Sequence, residues 1–393
     1  MPPTNSPRDW IVGYCTNVHA GTDVAAIRDN LARYSVAVRG SLGRTELPVG
    51  LWLPDSAARE LQHGTAAADF AAFLTDAGLT PYTLNGFPLE NFHREVVKHD
   101  VYRPAWWEPA RTEYTLRLAR LLAGWLPDDR PLGTISTLPI GWPTDGSSAD
   151  HDVAAAHLRI VADALSEIES ATGRRIVLAI EPEPGCVIDR SDTIVEWFDR
   201  RLDRDVDRRH LGVCHDVCHA AVMDQPQSVF LDDVTSAGIT IGKVQISSGI
   251  VVPWEWMATH RRREAAEQLA AFAEDRYLHQ TGRRTGDGGF ALGEDLPDLL
   301  SAADASDPSG GDRRWTVHFH VPIFLERFGH LTTTRDEIEQ TVTWLKDYAT
   351  AENFTGHLEV ETYAWGVLPE PMRRGGLAGD IAREMEWLSD RIG

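Results

Sequence analysis

The chain has 393 residues, and 42% of them are hydrophobic, so it can bury a large core as one α/β domain or as two smaller ones. Its formal net charge of -21 disfavours a nucleic-acid partner, because phosphate binding requires clustered Lys and Arg. The same charge disfavours binding to an anionic membrane surface. It does not identify the substrate, since an electropositive pocket can lie within an acidic surface.

The four cysteines are too sparse in a chain of this length to indicate a disulfide scaffold. The opening residues, MPPTNSPRDWIVGYC, have neither the basic nor the apolar region that is typical of an export signal. No apolar run approaches the ~20 residues that are needed to cross a bilayer. The sequence therefore predicts a cytoplasmic protein with reduced thiols and no membrane insertion.

Short segments that are apolar on both faces indicate strands of a parallel sheet covered by helices. In chain order they are WIVGYC (10–15), VGLWL (49–53), TPYTLN (80–85), LGTISTL (132–138), RIVLAIE (175–181), LGVCHD (211–216), ITIGKVQIS (239–247) and HLEVET (357–362). Segments with apolar residues at three- and four-residue spacing separate them and predict helices. These begin with DVAAIRDNLARYSVAV and end with a helix at about 377–392.

Eight strand–helix units predict a (β/α)8 TIM barrel, which typically needs ~250 residues and tolerates insertions. The alternative is a doubly wound open sheet, but YCTNVHAGTD after the first strand is not its glycine-rich phosphate turn. We expect one barrel domain over 1–393, with an inserted lid at 248–330 before the last strand. Within the insertion we expect a disordered or mobile loop at about 281–313 and a ninth strand-like run at 315–324.

The motif CHDVCH, at 214–219, has three interpretations. Its spacing is one residue too long for the C-x-x-C-H haem motif. Four zinc ligands within six residues would be too cramped, because structural zinc sites use two separated ligand pairs. The remaining interpretation places Asp216 at the end of a strand with His219 beside it. Cys214 and Cys218 are then small buried residues.

Polar side chains stand at the ends of four consecutive predicted strands, where the chemistry of a TIM barrel is located. They are Glu181, Asp216 with His219 three residues later, Gln245 and Glu361. Carboxylate and amide oxygens are ligands that suit Mg²⁺, Mn²⁺ or Co²⁺, whereas a structural zinc would be bound by thiolates. The alternatives are a rim ion pair for Glu181, a helix cap for Asp216 and an amide that satisfies backbone groups for Gln245.

Two of these positions have a competing acid two residues away, since Glu183 follows Glu181 and Glu359 precedes Glu361. Other polar or aromatic groups are candidates for substrate contact. His318 and His320 share one face of the inserted strand and could contact the substrate or add a second metal, or be structural imidazoles. The further candidates are His19, Asn85, His279 and Trp142.

The strand-end pattern resembles the xylose isomerase-like TIM barrels, which include sugar isomerases, ketose 3-epimerases and hydroxypyruvate isomerases. The resemblance lies in Glu181, Asp-x-x-His at Asp216 and His219, Gln245 and Glu361. Ketose epimerases usually have His on the seventh strand, so Gln245 departs from them and is more similar to the hydroxypyruvate isomerases. Over nearly its full length the chain is also similar to the EboE group of metabolite-traffic proteins, through TLNGFP, VKHDVYRPAWWEP, STLPIGW, YLHQT and HFHVPIF.

The resemblance implies a divalent metal ion (Mn²⁺, Mg²⁺ or Co²⁺, with Zn²⁺ as a further option) that Glu181, Asp216, Gln245 and Glu361 hold. It implies that the metal polarises a substrate carbonyl, that Glu181 and Glu361 transfer a proton through an enediolate, and that His219 shares the developing charge. We expect an isomerase or epimerase of a small polyhydroxylated carbonyl compound, which is a sugar, a sugar phosphate or a cyclitol. A dehydratase and a non-enzymatic carrier of a metabolite remain open, as does a homodimer. A nuclease is disfavoured by the charge.

Overall fold

The computed structural model describes residues 10–304, 306–373 and 375–393. Residues 1–9, on which part of the expectation about an export signal rests, lie outside this range. The strands are β1 (Ile11–Cys15), β2 (Leu47–Trp52), β3 (Leu79–Asn85), β4 (Leu132–Thr137), β5 (Arg175–Ile180), β6 (Leu211–Asp216), β7 (Ile241–Ile246), β8 (Ile250–Val252), β9 (Thr281–Arg284), β10 (Phe290–Gly293), β11 (Arg314–Val317), β12 (Arg327–Phe328), β13 (Leu331–Thr333) and β14 (His357–Val360).

Helices separate the barrel strands. They are α1 (Val24–Asn30), which continues through a π-helical turn (Leu31–Ser35) into α2 (Val36–Ser41), then α3 (Asp55–Glu60), α4 (Ala66–Asp76), α5 (Pro109–Trp125), α6 (Ser148–Thr172), α7 (Ser191–Arg201), α8 (Asp205–His210), α9 (Val217–Val222), α10 (Gln227–Ser236), α11 (Thr259–Ala270), α12 (Leu296–Ala302), α13 (Arg335–Tyr348) and α14 (Leu377–Ile392). Among the described residues, no helix is both long and apolar enough to cross a membrane.

Eight parallel strands close into a barrel in the order β1-β14-β7-β6-β5-β4-β3-β2, which confirms the predicted (β/α)8 TIM barrel. The strands are apolar on both faces because the inner face packs in the barrel and the outer face packs under helices. Strands β6 and β7 show this most fully, since every residue of both is buried. The register pairs Asp216 with Gln245 and Val360 with Ile246, so the ends of β6, β7 and β14 lie side by side.

A buried ion pair crosses the barrel interior, where Lys243 Nζ contacts Glu359 Oε2 and neither side chain is exposed. Gly50 makes room for this pair, since a Cβ at that position would lie 1.3 Å from Glu359 Oε1. Glu359 therefore points into the barrel, while Glu361, two residues later, lies at the mouth. The structure thus separates the two competing acids of the last strand.

Between β7 and β14 the insertion forms a second, antiparallel sheet in the order β10-β9-β11-β8-β13-β12. Within 281–313, for which the sequence predicts a disordered or mobile loop, the described residues form β9, β10 and α12. The glycines that suggested a loop form the turn of the β9–β10 hairpin, where Gly288 has a φ of +90°. The strand predicted at 315–324 is shorter and ends at Val317.

Two hydrophobic clusters stabilise these two sheets. The barrel core lies between the barrel strands and their helices and includes Leu178 and Phe198. The insertion core packs the inserted sheet and α11 against the barrel mouth and includes Leu331, Phe319 and Trp315. Because the insertion has a core of its own, it forms a fixed wall beside the ends of the barrel strands.

Candidate active site

A cavity with about 540 Å³ of space free of protein atoms lies at the mouth of the barrel. Residues at the ends of β3, β5 and β14 form its floor and sides, and Tyr277, Leu278 and His318 of the insertion also line it. A position at the ends of the barrel strands is typical of TIM-barrel active sites.

Three buried carboxylates converge beside this cavity. Glu181 follows β5, Asp216 ends β6 and Glu361 follows β14. Asp216 Oδ1 accepts the backbone N–H of His219 at 2.9 Å and the hydroxyl of Ser247 at 2.7 Å, so it caps α9 as well as facing the site. Its other oxygen, Oδ2, has no hydrogen-bond partner among the described residues.

Glu361 is held in a fixed orientation by two amides. Its Oε1 accepts Nδ2 of Asn17 at 2.7 Å and Nδ2 of Asn85 at 3.2 Å. Its Oε2 lies 3.9 Å from His320 Nδ1. One oxygen of this carboxylate is therefore fixed by hydrogen bonds, and the other is available for a ligand or a proton.

The burial of several acids in one place changes their proton affinities. Burial, together with Asp216 and Glu359, raises the pKa of Glu361 to about 8. Burial, with Glu361 and Asp216, raises the pKa of Glu181 well above its usual range. For Asp216 burial acts in the same direction, but His219, His320 and the Ser247 hydroxyl outweigh it and hold the pKa below its usual range. Like charges this close ionise together only if a cation compensates them.

Unpartnered atoms indicate where such a cation would bind. Glu181 Oε2, Asp216 Oδ2 and both amide atoms of Gln245 are buried and lack a hydrogen-bond partner among the described residues. Ligand atoms of Glu181, Asp216 and His219 lie within 4.8 Å of one another. Since buried polar atoms are normally paired, this donor set fits a divalent cation, and its oxygens suit Mg²⁺ or Mn²⁺.

Imidazoles form the opposite wall of the site. His219 Nε2 lies 3.1 Å from His318 Nε2, and His219 Nδ1 lies 2.9 Å from the Pro182 carbonyl. Burial lowers the pKa of His320 to about 4 and that of His318 well below its usual range, so both rings are neutral at pH 7. Because His219 Nδ1 faces the Pro182 carbonyl, its Nε2 is the atom that faces the other imidazoles.

The predicted substrate-binding residues divide into two groups. Asn85, His219 and His318 line the cavity, and His320 lies beside it. The remaining three are not among the described lining residues, because other contacts engage them. They are His19, which hydrogen-bonds Tyr14 and stacks on Tyr34; His279, whose ring nitrogens face the His318 carbonyl and Glu274; and Trp142, which stacks on Tyr102.

Several residues in or beside the cavity were not predicted from the sequence. Asn17 holds Glu361, and Tyr102 donates to Glu183 Oε1 at 2.9 Å. Gln280 Oε1 lies 2.8 Å from His318 Nδ1. Asn17 is the second residue after β1, so its position next to a strand end was the signal that could have identified it. Gln280 belongs to the insertion, for which no such positional rule exists.

Comparison with solved structures identifies the architecture. The structure is similar to that of a xylose isomerase-like TIM barrel protein from Mycobacterium smegmatis in complex with magnesium, with 12% identity, a TM-score of 0.55 and 98% of each chain covered. The fold is that of the xylose isomerase-like TIM barrels. At this identity the likeness establishes the fold, and the reaction has to be argued from the site.

Two further structures are less similar. The IolI protein with a bound zinc atom has 11% identity and a TM-score of 0.48, and the match covers 97% of each chain. A xylose isomerase domain protein from Planctomyces limnophilus has 14% identity and a TM-score of 0.47, and the match covers 99% of this chain and 98% of the other. No protein-family model and no curated protein matches the sequence. The similarity to the EboE group therefore stays a prediction.

Proposed function

We propose that the protein is a divalent-metal-dependent isomerase or epimerase of a small polyhydroxylated carbonyl compound. The observation that carries this proposal is the pairing of Glu181 and Glu361. They come from β5 and β14, which β6 and β7 separate in the barrel, yet both line one buried cavity. Burial raises the pKa of each, which brings two carboxylates toward the range in which they exchange protons near neutral pH.

Glu181, Asp216, Gln245 and Glu361 would hold the cation. When bound there, a divalent cation would polarise the substrate carbonyl and balance the charge of the carboxylates. The amides of Asn17 and Asn85 keep Glu361 Oε1 fixed, so Oε2 is the atom that takes a proton from the substrate carbon and returns it. Glu181 serves the other face of the substrate in the same way. The pair would then allow inversion of a substrate carbon as well as transfer of a proton between neighbouring substrate carbons.

The cavity favours an uncharged substrate. Lys98 is the one lysine or arginine among the described residues that line it, and its ammonium group already pairs with Asp295. Two carboxylates of β5 and its loop, Glu181 and Glu183, would repel a phosphate group. Aromatic side chains such as Tyr102 and Tyr363 supply apolar walls with hydroxyl groups, which suit the faces and edges of a polyol.

Proton exchange with solvent tests the proposal directly. Metal-free protein would be supplied with Mn²⁺ in deuterated water and incubated with a panel of neutral ketoses, aldoses and inososes, and NMR would follow the loss of substrate C–H signals. We expect exchange with the wild type and its loss, by at least about 100-fold, in Glu361→Gln and in Glu181→Gln. Glu384→Gln is the matched control, because Glu384 is also a buried acid but lies outside the cavity.

The product separates this proposal from its alternatives. Exchange together with an isomer or epimer supports the proposal, whereas loss of water from the substrate would identify a dehydratase. Tight substrate binding without exchange, in protein saturated with Mn²⁺, would identify a carrier and overturn the enzyme function. Exchange that persists in Glu361→Gln would remove Glu361 as a proton-transfer group.

A further inference from the structure

The polar and the apolar residues that line the active-site cavity come from different parts of the chain. Polar residues of the floor stand at the ends of barrel strands or within two residues of them, as Asn17, Asn85, Glu181 and Glu361 do. The apolar residues belong to the loop after β3 and to the insertion, and they include Phe87, Pro88, Phe92, Val97, Val101 and Leu278. Because such loops extend outward from the strand ends, the cavity has a polar floor and an apolar outer end.

Three aromatic rings pack on one another at this outer end. Phe92 lies in the loop after β3, Tyr277 in the insertion and Tyr363 after β14, and all three are buried. Their ring centroids are 4.8 Å apart for Phe92 and Tyr277, 5.4 Å for Phe92 and Tyr363, and 5.1 Å for Tyr277 and Tyr363. The Tyr277 hydroxyl donates to the Phe92 carbonyl at 3.3 Å, so its polar atom is already engaged. This aromatic cluster (Phe92, Tyr277 and Tyr363) is therefore an apolar surface that three separate segments build.

Hydrogen bonds hold the loop after β3 against the insertion. The backbone N–H groups of Val97 and Lys98 both donate to the Arg276 carbonyl, at 2.8 and 2.9 Å. Lys98 has a φ of +37°, in the left-handed region that is costly for a residue with a Cβ. Its ammonium group pairs with Asp295 of the insertion. These contacts keep a strained backbone in place, and they pre-organise the apolar end of the cavity for a ligand.

A second cavity adjoins the apolar end and reaches the protein surface. The two cavities share four lining residues, and all four are apolar: Pro88, Phe92, Val97 and Val101. Glu90 and Asp100 also line the second cavity, and both are exposed to solvent. The four shared residues thus form an apolar boundary between the catalytic cavity and this side of the molecule.

We propose that the substrate carries a hydrocarbon substituent, which lies against the aromatic cluster and the apolar boundary while its polyol part lies over the carboxylates. The inference rests on the proposed function for the identity of the polyol part. A hydroxyl group at the apolar end would leave water without gaining hydrogen-bond partners, whereas a hydrocarbon group gains by leaving water. A longer sugar chain fits this end less well for the same reason, because the apolar boundary has no polar side chain.

Two ligands that differ only in the substituent test the inference. They are the methyl and the hexyl ether of scyllo-inosose, with the ether at the carbon opposite the carbonyl, so that the hydroxyl groups beside the carbonyl stay free. Titration calorimetry would measure their binding to wild-type protein loaded with Mn²⁺, and excess methyl ether should displace the hexyl ether. We expect the hexyl ether to bind at least about 30-fold more tightly, because its longer chain leaves water.

Substitutions at the apolar boundary should remove this preference. Val97→Thr/Val101→Thr keeps the side-chain size but adds hydroxyl groups, and we expect the preference for the hexyl ether to fall by about 10-fold or more. Binding of the methyl ether should not change. The matched control is Val234→Thr/Val342→Thr, since these two buried valines belong to the barrel core and are not among the residues that line the cavity.

A second variant keeps the test decisive if the threonine variant does not fold. Val101→Phe fills the apolar end, so it should weaken the binding of the hexyl ether and leave that of the methyl ether unchanged. Thermal melting checks the folding of each variant. Equal affinities of the wild type for the two ethers, or a preference for the hexyl ether that persists in the folded variants, would overturn the inference.

The two proposals fail separately. NMR in deuterated water would follow the C–H signals of both ethers. If the hexyl ether binds more tightly but neither ether exchanges protons, the apolar subsite stands and the proposed function falls. If both ethers exchange protons and bind equally well, the proposed function stands and the apolar subsite falls.

Discussion

The barrel and the insertion contribute different chemistry to the same cavity. The parallel barrel supplies carboxylates, which its strand order brings to the same end of the barrel, after β5, at the end of β6 and after β14. The antiparallel insertion supplies His318 and His320, which reach the cavity only because a second core holds the inserted sheet against the mouth. The carboxylates of the barrel come together because of the strand order. The histidines of the insertion reach the same cavity only through the way in which a long inserted segment packs.

The largest expected effect tests the barrel alone. In Lys243→Met the carboxylate of Glu359 stays buried without its partner, and we expect a loss of about 3–5 kcal/mol in the free energy of unfolding. Urea unfolding of the metal-free protein measures this loss. The double variant Lys243→Met/Glu359→Met should recover most of it, because the unpaired charge is gone. A double variant as unstable as the single one would show that packing rather than charge dominates at this position.

A matched pair of leucines compares the two cores. Leu178 in β5 belongs to the barrel core and Leu331 in β13 to the insertion core, and neither is exposed. Each Leu→Ala change should cost about 3 kcal/mol, since each leaves a cavity in a closely packed region. Only Leu331→Ala should also slow the proton exchange of the proposed function, because it loosens the insertion, which forms part of the cavity wall.

Denaturant unfolding and the proton-exchange rate of the folded variants measure both effects. Equal slowing of the exchange by Leu178→Ala would contradict the assignment of the two cores to separate roles.

The barrel part of this arrangement could be predicted from the sequence. Runs that are apolar on both faces identify parallel strands, and an acid at the end of such a run must lie at the barrel mouth. That reasoning places Glu181, Asp216 and Glu361 together, as the structure also does. Their role as metal ligands, like that of Gln245, stays a prediction.

The insertion could not be predicted in the same way. The glycine-rich stretch that suggested a mobile loop is the turn of a hairpin. The sequence did not indicate this, because a local pattern does not reveal which distant strand a segment pairs with. The sequence suggests His279 as a polar group of the insertion and Trp142 as an apolar wall for substrate contact, but the ring of His279 contacts Glu274 and the His318 carbonyl, and the ring of Trp142 stacks on Tyr102. Residue type indicates what a side chain can do, and only tertiary contacts decide whether it reaches the site.

A pH-dependent contact links the two regions. Glu384 in α14 accepts the backbone N–H of Ile323 in the insertion at 3.0 Å and the hydroxyl of Thr362 at 2.6 Å. Burial raises the pKa of Glu384 from 4.5 to about 7, although both hydrogen bonds act in the opposite direction. The folded protein thus binds this proton more tightly than the unfolded chain does. Its contribution is complete below pH 4.5 and is lost as the pH rises through about 7.

The loss should amount to roughly 2 kcal/mol between pH 5 and 7.5. Glu384→Gln should remove this part of the pH dependence, because glutamine does not titrate. Unfolding curves of metal-free wild type and variant at several pH values measure the difference between their slopes. Parallel pH profiles would show that Glu384 has an ordinary pKa and that the contact does not respond to pH.

The smallest expected effect comes from two surface ion pairs, one in each region. Arg262 Nη1 lies 2.9 Å from Asp307 in the insertion, and Arg209 Nη2 lies 2.5 Å from Glu169 on the barrel exterior. Arg262→Met and Arg209→Met should each cost less than ~1 kcal/mol, and the cost should shrink at high salt, because exposed charges are screened by water and ions. A loss well above this value for Arg262→Met alone would mean that the insertion relies on surface charge where the barrel relies on its core.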